Sequence, residues 1–194
     1  MFTDHLQPVA LSELPLLFNL GGTSLVSAAF EGKEDVMPAT WVCPLNYDPA
    51  RVTACVDSCH YTRPLIEKSG MFALALPTAA IVNEVMYLGH VSENDEPAKL
   101  EKSGAKFFKM PGFEMPFVEG CAAYAVFRVL PEPHIEKTYD LFIGEAVALW
   151  ADRRVFRDGA WRFEEVPESM RTLHYVAGGR FHVIGRGFDV HQSC

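Results

Sequence analysis

The sequence predicts a mainly β protein: an antiparallel, Greek-key-like barrel carrying a few short helices, formed as a single domain over residues 1–194. Three observations predict it. Residues 37–46, "MPATWVCPLN", alternate in the period-2 manner of a strand with one apolar face. Strand-like runs outnumber helix-periodic ones and dominate the second half of the chain. Tight-turn chemistry, at Asn46-Tyr47-Asp48-Pro49 and again at Asp158-Gly159, joins neighbouring runs directly. Such connections belong to antiparallel hairpins, whereas parallel strands need long crossovers.

In chain order, the first strand places Met37, Ala39, Trp41, Cys43 and Leu45 on one side and Thr40, Val42 and Asn46 on the other. Asn and Asp bond their own backbone and Pro presets φ, so 46–49 turns the chain. "RVTACVD" returns as a second strand, with Val52, Ala54 and Val56 opposite Thr53, Cys55 and Asp57. "TRPLIEKSG" reads as a short helix with Thr62 as N-cap, Pro64 in the first turn and Gly70 as the stop. "MFALALP" is a continuous apolar run, the pattern of a strand buried on both faces. In 79–88, Ile81, Val82, Val85 and Met86 fall at helical spacing, and "EPAKLEKSG" forms a third helix closed by Gly104. "VEGCAAYAVFRVL" and "YDLFIGEAVALW" are long enough to pair as strands, and "VFRDGAWRF" is a hairpin about Asp158-Gly159. The expected total is six or seven strands with three short helices inserted near the middle, an antiparallel barrel with helices decorating its rim.

Bulk properties exclude several function classes. Hydrophobic residues make up 49% and charged residues 22%, the balance of a soluble globular chain. A net charge of -8 gives no footprint for nucleic acid, so a bound anion needs a local site that overcomes the overall field. The opening "MFTDHLQPVA" lacks the basic start and apolar run of a secretory signal, and no apolar stretch approaches the ~20 residues of a membrane helix. Five cysteines, at 43, 55, 59, 121 and 194, form an odd set that points to free thiols in the reducing cytoplasm. Cys55, Cys59 and His60 are spaced Cys-x3-Cys-His with no second pair, so no metal centre is expected. The chain has no Gly-x-Ser-x-Gly elbow, His-Glu-x-x-His or Walker loop, and "GRGFDV" lacks the strand-to-helix context of a dinucleotide fingerprint.

The cluster Asp57, Ser58, His60, Tyr61 and Thr62 lies where a strand hands over to a helix. Backbone N–H groups there are unpaired and the helix dipole is positive. Hydroxyls at Ser58, Tyr61 and Thr62, charge from protonated His60, and Lys99 on the third helix would together suit a phosphate. Local pattern alone equally allows a plain cap at Thr62 and a closed turn at Ser58. Trp41 suits either a flat aromatic ligand or the core, and Thr40 and Asn46 are placed to hydrogen-bond ligand heteroatoms. Cys43 and Cys55 suit either redox chemistry or buried, inert thiols, and no low-pKa environment in the sequence favours the first.

Four stretches, "VMPATWVCPLNYDPARVTACV", "SCHYTRPLIEKSGMFALALP", "YLGHVSENDEPAKLEKSG" and "YDLFIGEAV", resemble in order and spacing the flavin reductase and flavoredoxin family, whose members are FMN-binding split barrels. The tail "LHYVAGGRFHVIGRG" is more similar to the flavoredoxin branch. The resemblance spans roughly residues 20 to 187, leaving 1–19 as an N-terminal extension and 188–194 as a tail. It implies FMN as cofactor and NAD(P)H as hydride donor, with electrons passing onward to a small molecule or an acceptor protein. It also implies a homodimer with the flavin near the subunit interface. By position, Thr40, Trp41, Val42 and Cys43 line the flavin ring with Asn46 at its polar edge. Asp57, Ser58, His60, Tyr61, Thr62 and Lys99 surround the phosphate, and no side chain is assigned a catalytic role. The chain departs from the family in having Asp57 where Ser is frequent and His60 where Arg is common. It also has Tyr139 where many reductases carry a His before "LFIGE", which favours a flavoredoxin-like carrier as the alternative role.

Overall fold

The computed structural model describes residues 21–188; the expected extension 1–19, residues 189–194 of the expected tail and Cys194 lie outside the described residues. Among the described residues thirteen strands run in chain order: β1 (Ser24–Phe30), β2 (Lys33–Ala39), β3 (Val42–Asn46), β4 (Arg51–Cys55), β5 (Met71–Pro77), β6 (Phe107–Phe108), β7 (Phe117–Val118), β8 (Cys121–Leu130), β9 (Leu141–Ala151), β10 (Phe156–Arg157), β11 (Ala160–Trp161), β12 (Leu173–Ala177) and β13 (Arg180–Val183). The α-helices among the described residues are α1 (Thr62–Ser69), α2 (Val82–His90), α3 (Lys99–Lys102) and α4 (Pro133–Tyr139). Seven strands form one sheet, ordered β2-β1-β5-β8-β9-β4-β3, and every neighbouring pair is antiparallel.

That order forces the sheet to roll. Laid flat, its two edges β2 and β3 would stand about 29 Å apart, six strand spacings. Yet only Thr40 and Trp41 separate the end of β2 from the start of β3, a span of about 11 Å at full extension. The edges must therefore come together, closing a barrel whose seam lies between β2 and β3. No ladder hydrogen bonds join those two strands, so the seam stays open.

Register sorts the side chains. Val26, Met37, Leu74, Phe72, Phe127, Phe142 and Ala54 share the inner face, where α1 inserts Leu65 and Ile66 among them. Phe72 and Phe127 stack at 5.2 Å between centroids, and Gly144 on β9 makes room for them: a Cβ there would meet Phe72 at 2.6 Å. The outer faces of β1, β2 and β5 are also covered, by Val85 and Leu88 of α2 and by Phe117 and Met115. Burial on both faces explains the continuous apolar run of β5.

The expected helix 62–69, the 71–77 strand, the β3–β4 hairpin and the β10–β11 hairpin all form. Gly70 ends α1 in the left-handed region at φ 66, its N–H donating to Ile66 O. Asp158 and Gly159 both take positive φ, as the tight hairpin requires. Four expectations are corrected. The 37–46 strand breaks at Thr40-Trp41, because the chain there crosses the seam. "VEGCAAYAVFRVL" breaks at Gly120, which turns at φ 88 between β7 and β8. The third helix is only one turn, and a fourth, α4, forms over residues 133–139 where none was expected, its Pro133 in the first turn. Finally, the helices do not all decorate the rim: α1 buries Leu65 and Ile66 in the inner core while its other face stays exposed, and α2 covers the barrel's outside.

Arg63 locks α1 in place. Its guanidinium donates to Val56 O, Glu136 O, Asp140 Oδ1 and Glu67 Oε1, each at 2.7 Å, and lies 4.7 Å from the Phe142 ring centroid. A planar fork with five donors can serve all four at once; an ammonium cannot. Among the described residues no helix is long and apolar enough to cross a membrane.

Candidate functional site

A cavity of about 760 Å³ runs along edge strand β2, within the range of ligand-sized pockets. Edge strand β2 supplies one wall through Asp35, Met37 and Ala39, continued by Thr40 and Trp41 at the corner. The start of α1 supplies His60, Tyr61 and Thr62, and the end of α2 supplies Met86, Gly89 and His90. Lys99 and the β12–β13 hairpin, through Tyr175 and Phe181, complete it. Helix α2 approaches this closely because Gly89 lies against Pro38: a Cβ at Gly89 would sit 2.6 Å from the proline ring.

At one end lies a buried polar cluster that the sequence reading did not anticipate. Asp35 is 1% exposed, and its carboxylate accepts from Lys99 Nζ at 2.7 Å and from Thr62 Oγ1 at 2.5 Å. Both partners are themselves buried. Thr62 is therefore not the N-cap; Tyr61 holds that position without a side-chain bond, and the Thr62 hydroxyl spends its proton on Asp35. Few helix-start amides remain for a ligand. The Arg63 N–H returns to His60 O and Pro64 has none, which leaves those of Tyr61 and Thr62. Lys99 keeps two N–H donors after serving Asp35. A carboxylate at 35 was legible in one respect, since in "KEDVMPA" it shares parity with Met37 and Ala39 on the apolar phase.

Glu93 adds a second carboxyl beside this cluster. Its Oε2 is buried without a hydrogen-bond partner among the described residues. Burial, reinforced by the neighbouring charge of Asp35, pushes its pKa above the ordinary carboxylate value, against the opposing pull of Lys99. Tyr61 is raised as well, by burial first and then by Glu93 and Asp35.

Of the residues singled out from sequence, Thr40, Trp41, His60, Tyr61, Thr62 and Lys99 line this one cavity. Trp41 is 60% exposed, so the core reading of that residue is corrected. The bend at the seam also brings Thr40 and Trp41 to the same pocket, although strict alternation put them on opposite faces. Val42, Cys43, Asn46, Asp57 and Ser58 fall outside the lining. Val42 packs against the inner core. Asn46 serves its own turn, donating to Asp48 O and accepting from Tyr47 N. Asp57 turns its carboxylate to the Cys59 N–H at 2.8 Å, which lowers its pKa. Cys43 is exposed rather than buried, whereas Cys55 is half-buried and its thiol is pushed up by burial and by Asp140 and Asp57. Among the described residues no three His, Cys, Asp or Glu side chains converge as for a metal ion.

The family model of the flavin reductase like domain matches residues 20–182. The chain belongs to the flavin reductase-like family. Within this family it is similar to an FMN-binding domain of a flavin reductases-like enzyme from Shewanella baltica, 41% identical, with TM-score 0.86 over 94% of this chain and 96% of that one. The Escherichia coli protein YddH is 35% identical over 92% of this chain and 95% of its own length. A flavoredoxin from Methanosarcina acetivorans shares the fold at 22% identity and TM-score 0.69, covering 88% of each chain. The flavin reductase-like fold accounts for the seam: these domains are split barrels, and here the split is the gap between β2 and β3.

Proposed function

We propose that the cavity holds FMN and that the protein is an oxidoreductase, taking hydride from NAD(P)H into the flavin and passing the electrons to a small molecule or an acceptor protein. The observation that carries this reading is the cavity's polarity. Lys99 and the Tyr61 and Thr62 amides stand at one end, while Thr40, Trp41, Tyr175 and Phe181 stand at the other. Asp35 and Thr40 are separated along β2 by five residues, about 16 Å of strand. Such a site suits an anionic tail joined by a chain to a flat head, and the residues present fit FMN on that ground. The Shewanella baltica relative, described as FMN-binding, supports it.

When bound, FMN supplies the redox chemistry, accepting a hydride and delivering electrons singly or in pairs. The chain's own part is positional. Lys99 and the two amides hold the phosphate; His60, at the exposed mouth, adds charge when protonated. Trp41 and the aromatic pair of the β12–β13 hairpin hold the ring and limit its contact with water. No side chain acts as acid, base or nucleophile.

Rapid mixing of the FMN-loaded protein with NADH or NADPH tests the reading. Loss of flavin absorbance within seconds supports the reductase. FMN binding without bleaching favours the second reading, an electron carrier reduced by a partner protein. Tyr139 motivates that alternative, because it stands exposed on α4 and outside the cavity. We also propose a homodimer. The β3–β4 tip lies against β9 through the Ala146 N–H to Ala50 O bond, and Leu45 and Tyr47 at that tip and Val147 and Leu149 on β9 are exposed. Loss of the dimer in Leu149→Glu, read by sedimentation, is the expected result, and a wild-type monomer would refute it.

A further inference from the structure

Thr23, immediately before β1, stands out among the buried hydroxyls. It is 1% exposed, its N–H donates to Leu173 O at 2.8 Å, and it lines the cavity, yet its Oγ1 has no hydrogen-bond partner among the described residues. Comparable hydroxyls are satisfied: Thr62 by Asp35, Thr78 by Gly120 O, Ser69 by Leu65 O, Ser103 by Leu100 O. Buried polar groups are nearly always paired, and an unpaired one calls for a ligand, a water or a functional role.

The register says which end of the cavity Thr23 serves. Ser24 pairs with Ala39, so Thr23 lies beside Thr40, at the far end of β2 from Asp35. The adjoining bridge between Gly22 and His174 ties this point to the β12–β13 hairpin, whose Tyr175 and Phe181 rings meet at 4.9 Å. Thr23 thus brings a buried hydroxyl with no hydrogen-bond partner among the described residues to the end of the cavity walled by Tyr175 and Phe181, at the far end of β2 from Asp35 and its partners Lys99 and Thr62.

We propose that Thr23 is a specificity-determining residue for the head of the ligand, its hydroxyl hydrogen-bonding a polar atom on the edge of the flavin ring and taking no part in phosphate recognition. This inference rests on the FMN reading of the cavity. A hydroxyl can donate or accept, so it suits the mixed donor and acceptor edge of a flavin ring.

The test is the affinity of the full chain for FMN and for riboflavin, which lacks the phosphate, together with thermal stability of the ligand-free protein. Thr23→Val keeps the shape and removes the hydroxyl; Thr23→Ser keeps the hydroxyl. Thr23→Val is expected to weaken both flavins by the same factor, about five- to tenfold. Its ligand-free melting temperature should not fall, since no bond is lost, and Thr23→Ser should bind close to wild type. Unchanged affinity in Thr23→Val would overturn the proposal, as would a loss confined to FMN, an equal loss in Thr23→Ser, or a lowered ligand-free melting temperature. Wild-type protein that binds neither flavin would instead overturn the FMN reading, and this inference with it.

Discussion

Lys99→Met is the perturbation that best separates the structural from the binding role of the seam cluster. The Lys99 and Asp35 side chains are 3% and 2% exposed, and their 2.7 Å contact is the only salt bridge either makes among the described residues. Removing the ammonium leaves a buried carboxylate with one remaining partner, the Thr62 hydroxyl. Breaking a buried pair from one side costs about 3–5 kcal/mol, because the surviving charge keeps its desolvation penalty. For a chain of this size that lowers the melting temperature by about 6–20 °C. In denaturant titrations the midpoint should fall with an unchanged slope, the mark of lost stability without altered compactness. The double variant Asp35→Asn, Lys99→Met should lose less than the sum of the singles, since the neutral amide still accepts from Thr62. FMN affinity should fall in Lys99→Met even under conditions where the variant is fully folded. A Lys99→Met protein within about 1 kcal/mol of wild type, or singles that add without coupling, would refute the reasoning.

Two further outcomes follow from the same packing. Gly144→Ala places a methyl against Phe72 and Phe127 inside the barrel and should destabilise by about 1–3 kcal/mol in chemical denaturation; a neutral effect would mean that the ring stack gives way freely. Glu93→Gln tests the unpartnered carboxyl: because burial raises its folded pKa above the ordinary 4.5, the acid form favours folding, and that contribution is full below 4.5 and lost as pH rises through the raised value. The variant should therefore gain on wild type as pH increases from 4 towards neutrality and then level off, whereas a wild type that gains on the variant over that window would show the sign to be wrong.

Local chemistry made much of the fold legible. Gly70 stops α1, Asp158-Gly159 turns a hairpin and the run "MFALALP" is buried on both faces, because each is decided by neighbours a few residues away. The same locality misled at Trp41: alternation says which side of a strand a residue takes but not where the strand bends, and the bend is set by the meeting of two sheet edges distant in the ladder order. The length of α3 was misjudged for a similar reason, since "EPAKLEKSG" has helical composition along its length but only Lys99–Lys102 forms a helical turn.

By itself the sequence determined α1, β5, the β3–β4 and β10–β11 hairpins, the barrel class, the family and the position of the cluster before α1, since these are written in short-range pattern or in the order of motifs. β1, β6, β12, β13 and α4 were not legible there, and the expected total of six or seven strands fell short of the thirteen among the described residues. Only tertiary structure decided that Asp35 would claim Lys99 and Thr62, and that Thr23 would be buried without a hydrogen-bond partner for its hydroxyl among the described residues. Those outcomes depend on which helices and strands pack against β1 and β2 once the chain folds, and the side-chain alternation of a single strand carries no information about what will face it.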